Sequence, residues 1–298
     1  MSVAILADTN SGIGPEEAEK IGVYIMPMPF YINDELFYEG KNLTQKDFYK
    51  KQAEGARITT SMPAVGDVMD KWDELLKDHD EVVYIPMSSG LSSSCSTATL
   101  LSDDYDGKVQ VVDNKRISVT QKLSVYEAKA LADKGKSALE IKQYLEEHQH
   151  ESTIYIMVDT LEYLKKGGRL TPAVAAIGTL FHIKPVLQIQ GDKLDSFAKV
   201  RTIKQAKEVM LDQIAKDQAE RFHDKEGKGC VISMAHTMNR HEAETFREEA
   251  MERFPGHKIM IAPLALSIAC HIGPGSIAIT SSQSFIEDML EYDDTMDS

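Results

Sequence analysis

Short apolar runs alternate with amphipathic stretches through the first half of the chain. Val3-Ala4-Ile5-Leu6-Ala7 ends at Asp8, Val82-Val83-Tyr84-Ile85-Pro86 ends at a serine cluster, and Val109-Gln110-Val111-Val112 ends at Asp113-Asn114. Runs of strand length without polar alternation mark strands buried on both faces. Between them the spacing predicts helices: one opened by Pro15 with Glu16 and Glu17 in its first turn, one capped by Thr44, and one around Val68, Trp72 and Leu75 with Pro63 in its first turn. Two more fall near Ser118–Ala132 and Ser137–His148. Val23 to Ile32 reads as a strand interrupted by Pro27 and Pro29, hence an edge or an irregular crossing, and Asn33-Asp34 turns it back. Alternation of strand and helix implies a parallel sheet flanked by helices. Polar residues collect where the strands end, so Asp8, Thr60, Ser61, Ser88, Ser89 and Ser92 are expected to converge on one sheet edge.

The second half changes pattern. Thr153–Val158 is a strand, and a short helix, Leu161 to Lys166, stops at Gly167-Gly168 before Arg169 in an exposed turn. Thr171-Pro172 opens a stretch through Phe181 with no charged face, which predicts a buried helix whose Ala173, Ala175, Ala176 and Gly178 admit a close backbone or a slender apolar ligand. Ile183–Gln190 and Leu194–Val200 flank Gly191-Asp192, a hairpin signal, so the sheet here contains antiparallel pairs. An amphipathic helix follows Arg201-Thr202. Strands Cys230–Ala235 and Lys258–Ala262 enclose a helix over Glu242–Arg253, and a last strand covers Ile277–Thr280. The expected fold is α/β in two domains: residues 1–152 with a parallel sheet, and residues 153–298 with a mixed or antiparallel sheet.

The richest chemistry lies at Met87-Ser88-Ser89-Gly90-Leu91-Ser92-Ser93-Ser94. A strand entering such a turn, with Ser92 capping the next helix, would aim free backbone N–H groups and hydroxyls at one spot, and this binds anions. Plain serine capping is the commoner role in such a place and accounts for Ser92, but it leaves Ser88, Ser89 and Ser93 unexplained. The turn is not a P-loop, since no Lys follows the glycine, and no G-x-G-x-x-G follows a strand. Asp8 stands where α/β proteins place functional groups, or simply forms an Asx turn. Lys165, Lys166 and Arg169 could hold a phosphate, though a helix C-terminus presents carbonyls and favours capping or a partner contact. His236 and His241 do not form H-E-x-x-H, so no metal is expected, and His271 sits against a Gly-Pro-Gly turn where a structural role is the ordinary one.

Charge narrows the classes. The 298 residues include 33 Lys and Arg against 47 Asp and Glu, a formal net charge of -14 that repels nucleic acid and anionic membrane surfaces. A sheltered pocket of hydroxyls still acts at contact range, so the ligand expected is one of little charge. Three cysteines far apart offer neither a disulfide framework nor a metal site and fit a reducing cytoplasm. The N-terminus lacks a basic leader and reads as a first strand. Fourteen methionines add adaptable apolar surface. Hydroxyls for a head and apolar walls for a tail suit an amphiphile. A tail of on the order of 14 methylenes gains roughly 10 kcal/mol gross, whereas one hydrogen bond to a charged head nets about 1.5–3 kcal/mol.

In sequence order, Thr60-Ser61-Met62-Pro63, Ser88-Ser89-Gly90-Leu91-Ser92, Leu161 to Leu170, Ile183-Lys184-Pro185-Val186-Leu187, Arg201-Thr202 and His271-Ile272-Gly273-Pro274-Gly275 resemble the motifs of the DegV family of fatty-acid-binding proteins, along essentially the whole chain. That family includes the lipid-carrying subunits of bacterial fatty acid kinase. The resemblance implies two α/β domains with a long-chain fatty acid in a buried tunnel between them, no cofactor, and a carrier rather than an enzyme. Its carboxylate would be held by Thr60, Ser61, Ser92 and His271, with Ser89, Arg201 and Gly273 near or supporting the head group. A separate kinase subunit would phosphorylate the carboxylate for phospholipid synthesis, meeting the carrier at Arg169 and Lys166, and transient membrane contact is admitted. The family often has T-S-Q-P-S and S-G-T-Y where this chain has Met62 and Ala64, and Ser93-Ser94-Cys95. Two alternatives stand beside this expectation: an acyl or phosphoryl transferase using Ser92 with His271 as base, and a scaffold whose lipid is structural.

Overall fold

Leu6 lies between Tyr24 on one side and Tyr84 on the other, all three running parallel, and this pairing organises the first half of the protein. The computed structural model describes residues 2–176, 183–191 and 194–286. The chain divides into two compact units, one of residues 1–149 with Ala265–Ser267, the other of residues 150–264 with 268–298.

In the first unit the elements are β1 (Val3–Asp8), α1 (Pro15–Ile21), β2 (Tyr24–Met26), β3 (Phe30–Ile32), β4 (Glu35–Phe37), α2 (Gln45–Ala53) and β5 (Ile58–Thr60). They continue with α3 (Val65–Leu75), β6 (Glu81–Ile85), α4 (Ser94–Ser102), β7 (Val109–Val111), α5 (Val119–Asp133) and α6 (Ala138–Glu147). A four-stranded parallel sheet has the order β2-β1-β6-β7. From β1 the chain passes to β2 on one side and later returns to β6 on the other, so the strand order reverses between β1 and β6. Ligands of open α/β sheets bind outside the carboxyl ends of the strands at such a reversal. Asp8 ends β1 there, and the serine turn follows β6. Trp72, buried from α3, packs edge-on to Tyr84 in the core beneath.

The expected single edge holds only in part. Thr60 ends β5 in a separate three-stranded antiparallel sheet of order β4-β3-β5, opposite Phe30. Pro27 and Pro29 end the parallel pairing after Met26 because neither can donate to a ladder. The chain leaves the sheet and starts a new one at Phe30. Asn33 and Asp34, both with positive φ (49° and 70°), form the tight β3–β4 turn, as read from the sequence. Two other boundaries shift. α3 begins at Val65, so Pro63 precedes it rather than lying in its first turn, and Ser93 holds the N-cap position of α4 while Ser92 Oγ accepts the Ser94 N–H.

The second unit contains β8 (Ser152–Met157), α7 (Glu162–Lys166), α8 (Pro172–Ala175), β9 (Lys184–Ile189), β10 (Leu194–Val200) and α9 (Ile203–Glu220). It continues through β11 (Cys230–His236), α10 (Arg240–Arg253), β12 (Met260–Pro263), α11 (Leu266–Ile272) and β13 (Ile277–Gln283). Its six-stranded sheet, β10-β9-β8-β13-β11-β12, is mixed, with only β11 and β12 parallel. Met157, Met210, Phe246 and Ile261 fill the core under α9 and α10. The α/β class expected from the sequence is therefore present, a parallel sheet in the first half and a mixed one in the second.

The apolar stretch after Thr171 is the main departure. α8 is a single turn in which Val174 is buried while Ala173, Ala175 and Ala176 are exposed. One turn has room for one inward residue, and Thr171 fixes it by bonding Leu194 of β10. The rest of that expected helix, Gly178 and Phe181 included, lies outside the described residues, as do Asp192 and the tail from Glu287.

Candidate functional site

Asp8 is fully buried at the end of β1 and accepts three N–H groups: Asn10 N at 3.0 Å, Met87 N at 2.9 Å and Gln121 Nε2 at 3.0 Å. Gln121 also donates to the Ile85 carbonyl at 3.0 Å. The Asx turn is thus real, and Asp8 serves to fix the start of the serine turn at Met87. Burial raises its carboxyl above the ordinary range despite these bonds.

The turn itself is folded on Ser88. The Ser88 carbonyl takes Leu91 N at 3.0 Å and Ser92 N at 3.2 Å, and Ser88 Oγ takes Gly90 N at 3.2 Å. Ser92 Oγ takes Ser94 N at 3.2 Å, and Ser89 N goes to Asp113 Oδ1 at 3.1 Å. The N–H groups of Ser88 through Ser92 and of Ser94 are therefore already bonded, to the turn itself or to Arg116 and Asp113. What remains for a ligand is the hydroxyl proton. Each hydroxyl has one donor besides its acceptor lone pairs, and in Ser88 and Ser92 the oxygen is the acceptor of a backbone N–H.

The second hydroxyl group reaches the first through Met62. Ser61 N bonds Pro29 O at 3.1 Å, Ser61 Oγ bonds Met62 O at 3.0 Å, and the Met62 sulfur accepts from Ser93 Oγ at 3.8 Å and Thr97 Oγ1 at 3.7 Å. Thr60 is partly buried and Ser61 exposed. At Met62 lies a small cleft with walls from Pro63, Val68, Tyr84, Ala98 and Leu101. Ser94 Oγ, buried and without a hydrogen-bond partner, is its inner polar atom. As it stands the cleft has room for about one water molecule.

The remaining candidates belong to the second unit. Gly167 and Gly273 are glycines because of close approach: a Cβ on Gly167 would stand 2.0 Å from His271 Nδ1, and one on Gly273, where φ is +80°, 2.2 Å from the Tyr163 ring. The Leu161–Leu170 motif and the His271–Gly275 motif therefore interlock. His271 is not in a turn, as the sequence suggested, but near the end of α11; the Gly-Pro-Gly signal belongs to the residues that stop this helix. Burial and then Arg169 push its imidazole down to about 4, leaving it neutral near pH 7. A general base works best with a pKa near the working pH, so His271 is poorly set for the transferase alternative. Arg169 is exposed, its guanidinium donating to Gly167 O at 2.8 Å. Lys166 pairs with Glu162 on the surface at 2.6 Å. Arg201 N is capped by Gln205 Oε1 at 3.0 Å beside Thr202, the N-cap of α9. No cluster of potential metal ligands occurs among the described residues, and no helix there is long and apolar enough to cross a membrane.

Sequence reasoning missed Lys115 and Glu39. Lys115 Nζ lies 2.7 Å from Ser89 Oγ and 2.6 Å from Asp113 Oδ2. Glu39 accepts Leu266 N, the first residue of α11, at 2.7 Å. The signal available in advance was slight: an acidic residue ending β7's run and a lysine two residues later.

Fold and site together define a two-unit α/β protein with a hydroxyl-lined turn at a sheet reversal and a small apolar cleft beside it. The description "Uncharacterised protein, DegV family" matches residues 2–284, and the chain belongs to this family. A DegV domain-containing protein of Clostridium acetobutylicum is 32% identical over 284 residues, which cover 94% of this chain and 97% of that one. A DegV family protein of Thermus thermophilus, described as fatty acid binding, superposes with a TM-score of 0.86 at 26% identity, over 95% of this chain and 100% of that one. DegV of Bacillus subtilis, described as a fatty acid binding protein, gives 0.83 at 27% identity, again over 95% and 100%.

Proposed function

We propose that this protein is a carrier of a long-chain fatty acid, with the carboxylate received by Thr60, Ser61 and Ser92 in the first unit. One observation carries this reading. Ser92 spends its oxygen on a backbone N–H group and keeps its hydroxyl proton to donate, at the sheet reversal and next to a small apolar cleft. A donor set of neutral hydroxyls suits a singly charged head. The apolar tail supplies most of the affinity at about 0.8 kcal/mol per methylene. Similarity to fatty-acid-binding DegV proteins supports the ligand class.

In the finer form of this reading, a separate kinase subunit phosphorylates the presented carboxylate, with Arg169 and Lys166 on the face it meets, and the carrier works in the cytoplasm. Mass spectrometry of an organic extract of the purified protein, paired with titration by palmitate, tests the ligand. A co-purified long-chain acid and saturable binding are expected; the absence of both would overturn the reading. The kinase step predicts acyl phosphate only when kinase, ATP and loaded carrier are combined.

A further inference from the structure

One methionine bridges the two hydroxyl groups of the first unit. Met62 follows Thr60 and Ser61 at the end of β5, and its sulfur accepts from Ser93 Oγ at 3.8 Å and Thr97 Oγ1 at 3.7 Å, both at the N-terminal end of α4. Among the described residues neither hydroxyl has another partner, and Ser93, though at the N-cap, makes no side-chain cap. A thioether is a weak acceptor, so the bridge is a weak one. Its position is nonetheless a reactive one. Met62 is 36% exposed, so a dissolved peroxide reaches it, whereas Met26, Met28, Met157, Met210, Met234 and Met260 are buried.

We propose that Met62 is a site of reversible oxidation by a peroxide, and that its sulfoxide latches the Thr60–Ser61 segment to α4. The sulfur lone pair attacks one peroxide oxygen and the O–O bond breaks. The proton on the attacked oxygen passes through solvent to the departing one, which leaves as water. The sulfur is oxidised by two electrons and the peroxide is reduced by two, so thioether and hydrogen peroxide give sulfoxide and water. Methionine sulfoxide reductases reverse the step. Oxidation ordinarily disrupts apolar packing because the side chain becomes polar. Here the new oxygen stands on a sulfur toward which two hydroxyls already donate, and each has its one proton to give. The contact is therefore strengthened rather than broken. Ser92 adjoins Ser93 in the chain, so a tighter bridge holds Thr60 and Ser61 in place relative to Ser92. That consequence for ligand exchange rests on the fatty-acid reading above; the oxidation itself does not.

The test exposes the full chain to limiting hydrogen peroxide and locates sulfoxide by peptide mass spectrometry. Amide exchange over residues 58–64 and release of bound palmitate into phosphatidylcholine vesicles are then followed. In wild type, Met62 should oxidise while the buried methionines stay reduced, and both rates should slow about fivefold, the gain expected from one better hydrogen bond. Met62→Gln, with an amide oxygen as acceptor, should show the slow rates without peroxide. Met62→Leu, and Ser93→Ala combined with Thr97→Val, should not respond to it. Three results would each overturn the proposal while the fatty-acid reading survives. They are a Met62 that stays reduced while the exposed Met238 and Met251 oxidise, exchange or release unchanged after its oxidation, and equal slowing in the Ser93→Ala, Thr97→Val protein. Protein that binds no palmitate in either state would overturn the fatty-acid reading, and amide exchange alone would then decide the latch.

Discussion

Glu39 makes the pH dependence of the first unit predictable. Its carboxylate accepts Leu266 N at 2.7 Å and Gln45 Nε2 at 3.5 Å, and burial, opposed by these bonds, pushes its pKa from 4.5 up to about 7. The unfolded chain releases this proton near 4.5, while the folded chain keeps it to about 7, so the native state binds more protons between the two. Stability therefore falls as pH rises through that window. The shift corresponds to about 3 kcal/mol at 1.36 kcal/mol per pKa unit, reduced toward ~2 kcal/mol because solvent reaches part of the side chain. Glu39→Gln keeps an acceptor for Leu266 N and removes the titration. The variant should match wild type near pH 5 and exceed it by ~2–3 kcal/mol at pH 8. Urea unfolding of both proteins at pH 5, 6, 7 and 8, followed by Trp72 fluorescence, measures this. A difference that stays constant across those pH values would refute the reasoning, because it would mean that Glu39 is ionised in the folded state throughout.

Other consequences are sharper for binding. Thr60→Ala and Ser92→Ala should each weaken palmitate binding by roughly 1–3 kcal/mol through loss of a donor to a charged head, read by titration; unchanged affinity in both would remove them from the head-group site. Arg169→Ala should leave palmitate affinity intact and reduce acyl-phosphate formation with the kinase, and a parallel loss of both would place Arg169 at the ligand instead. Gly167→Ala puts a methyl where His271 Nδ1 stands, at 2.0 Å, so the ring must move; a melt lowered by ~1–3 kcal/mol is expected from overpacking, and an unchanged melt would show that α7 and α11 can separate.

How far the sequence was legible depended on the reach of each interaction. Asn33-Asp34 and Thr44 act on their own neighbours and form the turn and cap read from the sequence, and Ser137 and Thr202 cap the helices expected to start beside them. Ser92 lies one position before the N-cap Ser93 of α4, yet its hydroxyl accepts the N–H of Ser94, the first helical residue. β5 was hidden by length: Ile58–Thr60 is three residues, too short for a period of two to declare itself, and its partner Phe30 lies beyond a hairpin. α11 was hidden by the Gly-Pro-Gly that follows it. The Lys115–Ser89 contact spans 26 residues and joins two loops, so no periodicity or spacing could announce it.

The use of hydroxyls rather than amides or cations follows from the energetics. A turn that left its N–H groups free would bind any small anion, and with a net charge of -14 around it the protein would gain little selectivity from that. Folding Gly90, Leu91, Ser92 and Ser94 N–H groups onto Ser88 and Ser92 takes these donors away from a general anion site and stiffens the turn. The hydroxyl protons that remain are directional, one per serine, and each is worth only about 1.5–3 kcal/mol to a charged head. Several such contacts orient a carboxylate without holding a bare anion against water, so retention must come from the apolar chain. A short-chain acid such as acetate should therefore fail to compete with palmitate even at large excess. Competition by acetate at concentrations where ionic strength is matched with chloride would mean that the head, not the tail, sets the affinity.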